Sequence, residues 1–73
     1  MTIYYAEFET KSGVELPNDG HWKFEAYHDQ DALNRANERL ALLSRLRKFE
    51  GVFLQIVYSE KDDGSLRTVW ECK

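Results

Sequence analysis

The sequence predicts an α+β domain in which one helix packs on a four-stranded, mostly antiparallel sheet, in the order β-β-α-β-β. Three observations carry this. Between Asp29 and Gly51, Ala32, Leu33, Ala36, Leu40 and Leu43 recur at three- and four-residue spacing, the period of a helix with one buried side. Residues 2–10 and 21–28 alternate in the period of strands with two unlike faces. Val52–Tyr58 is the most β-prone run of the chain, apolar on both faces, and turn residues follow it. With 73 residues there is room for one domain, residues 1–73, and one modest core.

In the first strand Thr2, Tyr4, Ala6 and Phe8 face one way, and Ile3, Tyr5, Glu7 and Glu9 the other. Residues 11–20 break the pattern. Gly13 and Pro17-Asn18-Asp19-Gly20 are turn chemistry, because proline presets φ while asparagine and glycine tolerate positive φ. This connection is longer than most hairpin loops and reads either as a mobile tip or as a functional loop. The second strand, His21–His28, sets Trp22, Phe24 and Ala26 against Lys23, Glu25 and Tyr27. Asp29 is expected to cap the helix by accepting from its first free N–H groups, with Asp31 adding negative charge in the first turn. Arg45, Arg47 and Lys48 lie where the carbonyl end favours cations, and Gly51 is the expected left-handed stop. Val52–Tyr58 belongs in the sheet interior. Gly64 supplies the left-handed residue of a turn over Ser59–Ser65. The last strand, Leu66–Cys72, sets Leu66, Thr68 and Trp70 against Arg67, Val69 and Glu71. The element order resembles β-grasp domains of the immunoglobulin-binding protein G type, and an antiparallel meander is the alternative arrangement.

Ten lysines and arginines against thirteen aspartates and glutamates leave a net charge of −3, which argues against a dedicated binder of the phosphate backbone. Cys72 is the only cysteine, so no internal disulfide forms, and a lone thiol fits a reducing compartment. Met1–Tyr5 has neither a basic region nor a long apolar run, so no signal peptide is expected. No stretch approaches the roughly 20 apolar residues of a membrane span. The expected setting is the cytoplasm.

One helix covers one face of a four-stranded sheet. If Phe8, Trp22, Phe24, Leu54, Ile56, Leu66 and Trp70 meet the helix, the other face collects Ile3, Tyr5, Tyr27, Phe53, Val57 and Val69. Around these would lie Glu7, Glu9, Lys23, Glu25, Gln55, Arg67 and Glu71. Such a surface holds more apolar area than an open face requires and is the expected interface, with Glu7, Glu25 and Arg67 as its polar rim. The plainer reading is that cross-strand aromatic pairs stabilise an exposed sheet by themselves. The expected partner is another protein or a second copy of this chain, since one patch meets its copy across a two-fold axis. A second surface lies on the helix, where Leu42 and Phe49 fall off the core stripe beside Arg45 and Lys48. With Arg35, Arg39 and Arg47, and the 11–20 loop, this ridge is the alternative site, for nucleic acid or an acidic partner. Its plainer reading is a solvated face with an Asp31–Arg35 pair.

Candidate chemistry is sparse. His21 and His28 are the only histidines, and with one distant cysteine they do not make a zinc set, which takes three or four ligands. Asp62-Asp63-Gly64 lacks the spacing and closing glutamate of a calcium loop. No glycine-rich phosphate loop follows a strand. Glu7, Glu9 and Glu25 cluster across two strands, but an open face gives no cleft to shift their pKa values. The sequence therefore predicts no catalytic residues, no cofactor, no metal and no small-molecule substrate.

Trp22-Lys23-Phe24-Glu25-Ala26, a capped helix with Ala32 and Ala36, Gly51 leading into a β run, and Asp63-Gly64 before Val69-Trp70-Glu71 are shared packing features. In these the chain resembles small proteins encoded by phages and other mobile elements, among them one-helix, one-sheet anti-CRISPR proteins. The resemblance implies a protein that binds and blocks another macromolecule, with carboxylates in the place of phosphates. It carries over no functional residue, and the acidic sheet residues Glu7, Glu9, Glu25 and Glu71 are compatible with that role.

Overall fold

The alternating and helical periods form the elements they predict. The computed structural model describes residues 1–73. It comprises β1 (Thr2–Thr10), β2 (His21–Ala26), α1 (Asp29–Ser44), β3 (Val52–Glu60) and β4 (Leu66–Glu71), with 3-10 turns at Pro17–Gly20 and Arg47–Phe49. The strands lie in the order β2-β1-β3-β4, and every neighbouring pair is antiparallel. β2 and β3 both run against β1, so they are parallel to each other, and α1 is the crossover that joins them. β1 pairs with β3 and not with β4. The sheet is thus neither a meander nor a β-grasp, whose first and last strands lie side by side.

The core sits between α1 and one face of the sheet. Ala6, Ala26, Ala32 and Ala36 have no exposed surface, and their small side chains let the helix approach the strands closely. Tyr4, Phe8, Phe24, Leu43, Leu54 and Val57 fill the remaining space.

Two bulges decide which residues reach that core. Pairing between β1 and β3 steps from Glu7–Ile56 to Phe8–Leu54, leaving Gln55 as an extra residue. An extra residue inverts the alternation beyond it. Leu54 faces α1, but the next inward residues are Val57 and Ser59. Val57, expected on the open face, is therefore fully buried, and Ile56, expected under the helix, is half-buried opposite Glu7. A second step, between the Val57–Trp70 and Tyr58–Thr68 pairs, makes Val69 the extra residue of β4. Val69, expected in the open apolar patch, packs against the core, and Arg67, expected on its rim, lies opposite buried Ser59, so both move to the helix side. Leu66, expected under the helix, lies opposite Glu60 on the open face, whereas Trp70 keeps the helix side, opposite Val57, and is 38% exposed at the sheet edge.

The ends of α1 also differ from expectation. His28 is the N-cap: its Nδ1 accepts from the Asp31 N–H at 3.2 Å. The Asp31 carboxylate reaches back to accept from the Tyr27 N–H at 3.0 Å and from Arg35 Nε at 3.1 Å. Asp29 instead ties three elements together. It accepts from the Tyr4 hydroxyl at 2.9 Å and from both terminal nitrogens of Arg67 at 2.8 and 3.0 Å. The helix stops at Ser44, and Gly51, at φ +78°, closes the following 3-10 turn. That turn swings Phe49 into the core, correcting its placement on an outer ridge.

The 11–20 connection is folded onto the core as well. Leu16 is buried, and Asn18, Asp19 and Gly20 are three successive left-handed residues at φ 53°, 56° and 81°. A Cβ at Gly20 would stand 2.2 Å from the Phe8 carbonyl oxygen, so only glycine permits this approach.

Candidate functional site

The face of the sheet turned away from α1 is covered by no other element. Register fixes what it carries. β1 presents Ile3, Tyr5, Glu7 and Glu9; β2 presents His21, Lys23 and Glu25; β3 presents Phe53, Ile56, Tyr58 and Glu60. β4 places Leu66, Thr68 and Glu71 opposite Glu60, Tyr58 and Ile56.

Tyr5 and Tyr58 are direct cross-strand neighbours and form the centre, their rings stacked with centroids 5.2 Å apart and planes inclined by 20°. Tyr5 donates to Glu60 Oε1 at 3.3 Å. Partial burial raises the Tyr5 pKa, and the nearby Glu60 charge adds to this. Burial likewise raises that of Tyr58, helped by the charge of Glu7. Both phenols therefore keep their protons at neutral pH and remain hydrogen-bond donors. Glu7 Oε1 lies 3.3 Å from His21 Nδ1. Ile3, Phe53 and Ile56 extend the apolar area along β1 and β3, and all three are half-buried. Around them stand five carboxylates, Glu7, Glu9, Glu25, Glu60 and Glu71, against the single Lys23. With His21 neutral, this side is more acidic than the whole chain, whose net charge is −3.

Of the residues expected at the interface, Ile3, Tyr5, Glu7, Glu25 and Phe53 share this face. Val57 and Val69 pack on the other side, and Arg67 is engaged by Asp29. Tyr27 is 71% exposed just past the end of β2, away from the tyrosine stack. Sequence reasoning missed Tyr58, half of that stack, and put Ile56 on the wrong side. The available signal was a tyrosine in each of two neighbouring strands, and only the bulge aligns them.

The helix ridge is less continuous than its sequence suggests. Arg35 pairs with Asp31, the Arg39 guanidinium lies 5.4 Å from the Trp22 ring centre, and Lys48 lies 5.1 Å from that of buried Phe49. A shallow hollow of about 400 Å3 opens between Ser44 and Val52, where Arg47 and Glu50 are the charged lining residues. No group of three or more His, Cys, Asp or Glu side chains converges as metal ligands would. No helix is long and apolar enough to cross a membrane. No protein-family model, curated protein or solved structure matches the chain.

Proposed function

We propose that this chain is a non-enzymatic protein-binding module, regulatory or inhibitory in effect, that works through the open face of its sheet. The observation that carries the reading is the Tyr5–Tyr58 stack, flanked by Ile3, Phe53 and Ile56 on a side no element covers. Cross-strand stacking contributes only about 0.2–1 kcal/mol to a sheet, and it does not account for the three further apolar side chains beside it. Tyrosine suits a binding surface because it offers a broad apolar ring and a polar tip at little entropic cost.

The rim supports a partner of complementary charge. Five carboxylates against one lysine fit a protein surface that presents lysine and arginine around an apolar centre. Two copies meeting face to face would oppose like charges, so the occupant is a different protein. Nucleic acid is disfavoured by the same charges, and Arg35 and Arg39 on the helix already have contacts. A cytoplasmic setting belongs to this reading, supported by the lone Cys72.

The test compares capture from a lysate of the source organism by the native chain and by Tyr5→Ser and Tyr58→Ser, each checked for native circular dichroism. A retained protein that both variants lose, and that elutes as salt rises, supports the reading. Equal retention by all three proteins removes it.

A further inference from the structure

The two edges of the sheet are unlike. β4 carries the bulge at Val69, and its Arg67 is held by Asp29, so that edge is irregular. β2 pairs with β1 from His21 to Ala26 without a register shift, and no strand lies on its other side. The N–H and C=O of His21 are engaged by Asn18, and the N–H of Tyr27 by Asp31, but between them β2 offers a short, straight stretch of backbone at Lys23–Glu25 with no strand partner on its outer side. We propose that two copies of this chain pair β2 against β2 in antiparallel fashion across a two-fold axis at Phe24, joining their sheets edge to edge.

Self-complementarity fixes the register. A lysine in the middle of an edge strand ordinarily guards it against pairing. Here Lys23 is followed two residues later by Glu25, both exposed, and an axis at Phe24 sets each Lys23 opposite the second copy's Glu25. The same register sets Trp22 opposite Ala26, and His21 opposite Tyr27, which is the most exposed large apolar side chain of the chain. On the helix side of this edge, Trp22 and Leu42 border a hollow of about 270 Å3 that also involves Arg35, Glu38 and Arg39. Leu42 is 55% exposed there, and the second copy covers it. One six-residue strand per copy makes a contact at the low end of the range, below about 1,200 Å2, so the dimer is concentration-dependent. This pairing does not use the open face and does not rest on the function proposed for it.

Sedimentation equilibrium at low salt, from about 10 μM to about 1 mM chain, tests it. The native chain is expected to show a monomer–dimer equilibrium. Lys23→Glu and Glu25→Lys, both at exposed positions, each place like charges opposite one another twice and are expected to weaken the dimer roughly tenfold or more. The double variant Lys23→Glu/Glu25→Lys rebuilds the pair with the signs exchanged and restores the dimer. Tyr58→Ser leaves it unchanged. A native chain that stays monomeric throughout overturns the proposal, as does a dimer that both single variants keep or that the double variant fails to recover. A dimer lost in Tyr58→Ser also overturns it, since the copies would then meet through the open face.

Discussion

The two faces of this sheet are cut from the same strands, yet they are built differently. Under α1 the side chains are alanines and large apolar residues, and Ala6, Ala26 and Val57 have no exposed surface at all. On the far side the apolar residues are half-exposed, two of them tyrosines, and carboxylates surround them. The polar contacts differ in what they join: the bonds of Asp29 to Tyr4 and Arg67 tie the helix to β1 and β4, whereas Tyr5–Glu60 and Glu7–His21 link neighbouring strands within the sheet. The covered face holds the fold together, and the open face is free to be chosen for something else.

The comparison predicts a graded series of effects. The largest belong to the covered face. Phe8, 3% exposed, leaves a cavity when replaced by alanine, and Phe8→Ala should cost about 3–5 kcal/mol in urea denaturation, enough to unfold much of so small a domain. Gly20→Ala comes next, at about 2 kcal/mol or more, because a left-handed φ and the Phe8 carbonyl both oppose the new methyl group. Gly64→Ala is the control: its φ is +84° but nothing lies within 4 Å, so about 1 kcal/mol is expected.

Acid sharpens the contrast further. The hydrogen bond from Arg67, then that from Tyr4, holds the Asp29 carboxyl below the ordinary carboxylate range. A lowered native pKa gives stability that is complete above the unfolded value and is lost as pH falls through the folded one. Urea midpoints should therefore fall as the solution is acidified through the carboxylate range, and Asp29→Asn should flatten that decline. Stability that is level through this range, or a native-like decline in Asp29→Asn, would show that the tie contributes nothing.

The smallest stability effects belong to the open face. Tyr58→Ala should cost only about 1 kcal/mol, and a double-mutant cycle with Tyr5→Ala should return a coupling of about 0.2–1 kcal/mol for the stack. A loss near that of Phe8→Ala would erase the distinction between the faces.

The elements were legible in the sequence because each keeps one period for most of its length. Tyr4, Ala6 and Phe8, and Trp22, Phe24 and Ala26, fall on the face that strict alternation assigns them. The strand β3 was legible but the facing of its residues was not, because Val52–Tyr58 is apolar on both faces and nothing in it announces the extra residue at Gln55. One bulge moved Val57 inward, turned Ile56 outward and aligned Tyr58 with Tyr5. Phe49 was misplaced for a related reason: helical geometry was extended past Ser44, where the chain turns instead. The cap escaped notice because aspartate is a far commoner N-cap than histidine, and Asp29 stood next in line.

The most direct measurement places a photoreactive benzoylphenylalanine at Tyr58, on the open face, or at Leu42, on the helix, and irradiates each protein in lysate of the source organism. Crosslinking from position 58 to one defined protein, with position 42 yielding at most a second copy of this chain, is the outcome this account predicts. Crosslinks to that protein from position 42 while position 58 stays silent would contradict it.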